Sequence, residues 1–106
     1  MTEALQILGL ARRAGAVAPG TAATRRSISQ GEARVVLMAE DASSAQLDKI
    51  RRTMRKRIIP QVLLGDRATL GAAIGKAPIT AVAVTDASLA GRLLESIDGE
   101  IMVDEG

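Results

Sequence analysis

The 106-residue sequence contains no cysteine, no histidine and no phenylalanine, tyrosine or tryptophan. Each absence closes off a class of chemistry. Without cysteine there are no disulfides and no thiolate metal sites. Without histidine the usual general base near neutral pH is missing. Without aromatic rings, a core has to be assembled from Leu, Ile, Val, Met and Ala, and nucleic-acid binding by base stacking on rings is excluded. Long hydrophobic runs are lacking too: no segment approaches the ~20 apolar residues of a membrane span. The opening MTEALQILGLARR lacks the basic and apolar regions of a signal peptide. The expectation is a soluble, cytoplasmic protein.

What is present is ordinary in amount and uneven in placement. Hydrophobic residues make up 47% and charged residues 25%, as in globular domains. The length suits one domain with a single core over residues 1–106, and no linker or low-complexity stretch divides it. Residues 1–60 carry 11 Lys and Arg against 5 Asp and Glu, whereas residues 61–106 carry 3 against 7. A basic half beside an acidic half suggests one surface that faces a polyanion. Eleven of the 14 cations are Arg, the residue suited to bidentate phosphate contacts.

Apolar spacing predicts a helix over residues 3–13, with Gly15 as its stop, and a short strand over 16–18 before Pro19 and Gly20. A second helix over 21–30 opens on Thr21 as its cap and ends at Gly31. The run ARVVLMAED (residues 33–41) reads as a strand buried on both faces. A helix follows it, capped by Asp41, Ser43 or Ser44, with Leu47, Ile50 and Met54 on one side and a dense basic run, KIRRTMRKR, on the other. Strands are expected at 58–65 and 79–86. Helices are expected at 66–75, capped by Asp66, and at 87–97, and an edge strand at 101–103. Alternating helices and doubly apolar strands predict an α/β fold, a three-layer α/β/α sandwich around a small mixed sheet of four or five strands.

Two groups of residues invite a functional reading. Glu40, Asp41 and Asp86 fall near strand C-termini, where carboxylates can hold Mg²⁺; the plainer account is that each Asp precedes a helix and caps it. The other group is the stretch VAPGTAATRRSISQG. Gly20 lets backbone approach a ligand there. The first amides of the following helix suit an anion, and Arg26 lies one turn on. No dinucleotide or P-loop motif is present.

The ordered blocks LGLARRAGAVAPG, GTAATRRSISQGEARVVLMAEDAS and LGAAIGKAPITAVAVTDASLAGRLL strongly resemble the kink-turn-binding ribosomal-protein family. This is the L-seven-Ae, L-thirty-e, S-twelve-e and Gadd-type group, and the likeness is greatest to its short bacterial YlxQ-type members. It spans about residues 4–97 and implies the same three-layer sandwich. It also implies that the helix start after the first strand enters kinked RNA with a pattern G-x-N-E-x-x-K. Gly20 matches the Gly and Arg26 stands at the Lys, but Ala22 and Ala23 stand where the family has Asn and Glu.

By the resemblance, the RNA-binding residues are Gly20, Thr21, Ala22, Ala23 and Arg26, with Arg67 and the loop Lys76, Ala77, Pro78 and Ile79. The implied function is an RNA-binding protein of the ribosome or translation apparatus, with weakened kink-turn base readout. The implied partner is structured RNA, ribosomal or otherwise kinked, with the ribosome or translation factors beside it; DNA and membranes are not expected. No catalytic residue, cofactor or metal is expected. The alternative is a protein-interaction adaptor on the same fold with RNA binding lost.

Overall fold

The computed structural model describes the backbone of residues 2–105 and the side-chain surroundings of residues 2–97. Its elements run α1 (Thr2–Arg13), β1 (Val17–Pro19), α2 (Thr21–Ser29), β2 (Val35–Met38), α3 (Ser44–Thr53), a 3₁₀ turn (Met54–Lys56), β3 (Gln61–Leu63), α4 (Arg67–Ala73), β4 (Ala81–Val84) and α5 (Ala87–Glu105). The four strands form one mixed sheet in the order β1-β4-β2-β3. β4 lies antiparallel to both β1 and β2, and β2 and β3 are parallel.

The period of two along the central strands separates two cores. Val35, Leu37, Val82 and Val84 face a layer built from α1, α4 and α5, among them Leu8, Leu70, Ile74 and Leu93. Val36, Met38, Ala81 and Ala83 face the opposite layer, built from α2 and α3 through Ile28, Leu47 and Ile50. Both central strands are buried along their whole length, which is why they read as unbroken apolar runs. The three-layer sandwich with a four-stranded mixed sheet is the expected architecture.

Three helices end alike. After α1, α2 and α4 the chain passes through Gly15, Gly31 and Gly75, each at positive φ. In each case the amides of the glycine and of the residue after it fold back onto the last turn, as Lys76 N donates to the Gly71 carbonyl and Gly75 N to that of Ala72. This paired closure satisfies carbonyls that the helix leaves open. Gly71 has a further role. A Cβ there would lie 2.2 Å from the Ala77 carbonyl oxygen, so only glycine lets the 76–78 loop close over α4.

Several expectations need correction. α2 starts at Thr21, but the capping position is Gly20, and no side chain caps the helix. Asp41 does not cap α3: Ser43 Oγ accepts the Gln46 amide at 3.3 Å, and Asp41 accepts from the Arg67 amide at 2.8 Å instead. The strand expected at 58–65 contracts to Gln61–Leu63, because Pro60 has no amide to pair and Ile58 is fully exposed at the sheet margin. The edge strand expected at 101–103 is absent, since α5 runs on to Glu105. The i, i+4 apolar series Leu89, Leu93 and Ile97 continues to Ile101, so the helical period simply persists.

Candidate nucleic-acid interface

β1 ends at Pro19, and Gly20 turns the chain into α2 with φ 91° and ψ 165°, a region open in practice only to glycine. Its amide donates to the Ala81 carbonyl at 2.8 Å, and its carbonyl accepts from the Thr24 amide at 2.9 Å. The helix start is thereby tied to the first residue of β4. The amides of Thr21, Ala22 and Ala23 have no acceptor within the helix by its geometry, and among the described residues no side chain takes that place. Thr24 is buried beneath them, its hydroxyl donating to the Ala18 carbonyl at 3.2 Å. The result is an anchored helix start that presents bare amides and a partial positive charge.

The same end of the sheet gathers the second group of expected residues. Ala39 N donates to the Thr80 carbonyl at 2.8 Å, and Ile79 N to the Arg67 carbonyl at 3.1 Å. With the Asp41–Arg67 contact, these bonds link the end of β2, the start of α4 and the loop before β4 into one rim. Lys76, Ala77 and Pro78 are exposed on it and Ile79 is half-buried. The sequence-expected residues Gly20, Thr21, Arg67 and Ile79 are thus brought to one end of the molecule. The Arg67 guanidinium is partly engaged: its Nε lies 3.5 Å from Asp41 Oδ2, with both side chains about half exposed.

Arg25 and Arg26, neighbours in sequence, serve different surfaces. Successive helical positions point about 100° apart. Arg26 lines a shallow depression of about 310 Å³ beside β1, with Ala23 and the buried Ser27. Arg25 turns towards α3, where its Nε donates to Thr53 Oγ1 at 2.9 Å. The sequence reading missed Arg25 as a positioned residue; the helical angle between adjacent arginines was the available signal.

The carboxylates are otherwise occupied. Asp86 Oδ1 accepts from the Leu89 amide at 2.9 Å at the start of α5, and Asp66 Oδ1 from the Thr69 amide at 2.7 Å at the start of α4. Hydrogen bonds from the Thr69 side chain, then from its amide, hold the Asp66 carboxyl below the usual carboxylate range. Glu40, Asp41 and Asp86 do not converge, and among the described residues no group of three or more acidic, His or Cys side chains is placed to hold a metal ion.

Comparison with known proteins agrees with this frame. The model of the Ribosomal protein L7Ae/L30e/S12e/Gadd45 family matches residues 2–93. The chain is 36% identical over 96 residues to the RNA-binding protein YlxQ of Bacillus subtilis (strain 168), covering 91% of this chain and 96% of that one. A solved protein of unknown function from Bacillus halodurans C superposes with a TM-score of 0.86 at 30% identity, over 92% of this chain and 99% of that one. The Giardia lamblia 15.5 kD RNA-binding protein has the same fold, with a TM-score of 0.72 at 18% identity over 93% of this chain and 84% of its own.

Proposed function

The chain belongs to the Ribosomal protein L7Ae/L30e/S12e/Gadd45 family, and from that premise we propose that it binds structured RNA, in association with the ribosome or translation apparatus. RNA would enter at the α2 start. The observation that carries this reading is the uncapped helix beginning at Thr21, set on the same rim as Arg67 and the Lys76–Ile79 loop. Bare amides and cations attract phosphate oxygens, and they fix position without reading sequence. A relative 36% identical over nearly the whole chain is named as an RNA-binding protein, which supports the same class of ligand.

The base-reading part of this surface is reduced. Ala22 and Ala23 present methyl groups where a hydrogen-bonding pair would meet base edges, and each missing contact of that kind removes about 1–3 kcal/mol of discrimination. The protein therefore holds RNA mainly by backbone and shape. The Lys76–Ile79 loop offers Pro78 and Ile79 as an apolar contact for a base turned out of its stack.

The test is equilibrium binding of labelled kink-turn RNA and of a matched unkinked duplex across a salt series. Preference for the kinked RNA, with affinity falling as salt rises, is the expected result. Failure to bind either RNA at low salt overturns the proposal and favours the adaptor reading, for which the alanine pair is the one argument in the structure.

A further inference from the structure

The basic run on α3 and the following turn is not absorbed by the α2 site. Lys49, Arg51, Arg52, Arg55 and Lys56 are all exposed. Among the described residues the one carboxylate–cation pair is Arg67–Asp41, so these five charges have no described carboxylate within ion-pair distance. Asp48 is the single acidic residue in the stretch from Ser43 to Gln61. A solvated helix face ordinarily mixes charges of both signs in comparable numbers, whereas here five exposed cations stand against Asp48 alone.

The arrangement is also organised. Lys49 and Arg52 line two adjoining shallow depressions, one of about 500 Å³ towards α2 with Arg25, Ser29 and Thr53. The other, of about 780 Å³, runs towards the β3 edge with Asp48, Arg51, Arg55 and Gln61. Arg25 is held across the first by its bond to Thr53 Oγ1, which in turn donates to the Lys49 carbonyl at 3.0 Å. Arg57 is engaged elsewhere, its guanidinium donating to the Ser29 carbonyl at 3.0 Å and closing the C-terminal end of α2.

We infer that this α2–α3 face is a second RNA-binding surface, which takes the phosphate backbone of a segment other than the one held at the α2 start. The inference rests on the RNA reading proposed above and extends it to a separate place. A strongly cationic row of long, exposed side chains across shallow, open depressions, with Asp48 the one acidic residue on it, fits a regularly charged backbone and is poorly shaped for a compact ligand. Because such contacts neutralise phosphates, they give affinity and salt dependence without selecting sequence or kink.

The test uses the full chain and the triple variant Lys49→Ala/Arg52→Ala/Arg55→Ala. The charge-keeping variant Lys49→Arg/Arg52→Lys/Arg55→Lys is the control, and circular dichroism confirms that each folds. Binding of the unkinked RNA duplex is measured against salt. The alanine variant is expected to flatten the log-affinity against log-salt slope by about 2–3, at 0.7–0.9 per lost contact. The control should keep the wild-type slope, and the ratio of kinked to unkinked affinity should not change in either variant. An unchanged slope in the alanine variant overturns the inference while leaving the α2 site standing. Loss of all RNA binding by the wild type overturns both. Displacement of the duplex by polyglutamate as readily as by an RNA of equal charge overturns the assignment to RNA in favour of an acidic protein.

Discussion

Gly71 and Gly91 both lie inside helices, yet they differ in what stands where a side chain would be. At Gly71 a Cβ would meet the Ala77 carbonyl oxygen at 2.2 Å and the Lys76 carbonyl oxygen at 2.9 Å. Gly71→Ala has to push that loop outward and is expected to cost about 2–3 kcal/mol. At Gly91 nothing lies within 4 Å, so Gly91→Ala is expected to add about 0.5–1 kcal/mol through lost chain entropy. Urea unfolding followed at 222 nm reads both; with no Trp, Tyr or Phe in the chain, intrinsic fluorescence does not. The two signs should be opposite. Residue choice at the α2 start is tested in the same spirit. Ala22→Asn with Ala23→Glu restores the two groups absent from the proposed RNA site and is expected to raise the kinked-to-unkinked affinity ratio at least about tenfold. Arg26→Ala should instead weaken both RNAs alike and flatten the salt slope by about one contact.

At the scale of the element, what the sequence made legible followed from period and punctuation. The unbroken runs around Val35–Met38 and Ala81–Val84, and the helix stops at Gly15, Gly31 and Gly75, are local signals, and they placed the sheet and most helix ends. Tertiary partners decided what local reading did not. Thr21 has the chemistry of a cap, but Gly20 alone can take the backbone turn that joins β1 to α2 while bonding Ala81. Asp41 also has that chemistry, but the fold brings the Arg67 amide to it from 26 residues away. For the site, the stretch from Gly20 to Arg26 was legible as a helix start, whereas the separation of Arg25 from Arg26 depended on where α3 packs. The caps also yield a pH prediction. Hydrogen bonds from Thr69 lower the Asp66 carboxyl below its usual range, so this group stabilises the fold while it is ionised. That contribution is complete above the unfolded-state value near pH 4 and is lost as pH falls through the lower folded-state value. Asp66→Asn is therefore expected to be less stable than wild type at pH 7, with the gap closing as acid unfolding is followed below about pH 4. A gap that stays constant with pH would separate Asp66 from the acid response. Ser43→Ala, which removes a neutral cap, should cost about 0.5–2 kcal/mol with no such pH dependence.

Over the whole molecule the chemistry divides by layer. The face formed by α2 and α3 carries Arg25 and the exposed cations of the α3 run, and the rim at the sheet end carries the bare α2 start. A polyanion that binds the folded chain but not the unfolded one must raise its melting temperature by mass action. At RNA concentrations about a hundredfold above Kd the gain is about 2.7 kcal/mol, which for a domain of this size corresponds to a rise of roughly 10–20 °C. The rise should depend on salt as the affinity does. With about four phosphate contacts, a fourfold increase in salt lowers affinity roughly a hundredfold, enough to erase most of the shift at fixed RNA. Melting followed through the helical signal, with RNA alone subtracted, should show a large rise at about 50 mM salt and a small one at about 200 mM. A shift of equal size at both would mean that apolar contacts, such as those of Pro78 and Ile79, and not phosphate neutralisation, hold the RNA. No shift at either would mean that RNA does not bind the native chain.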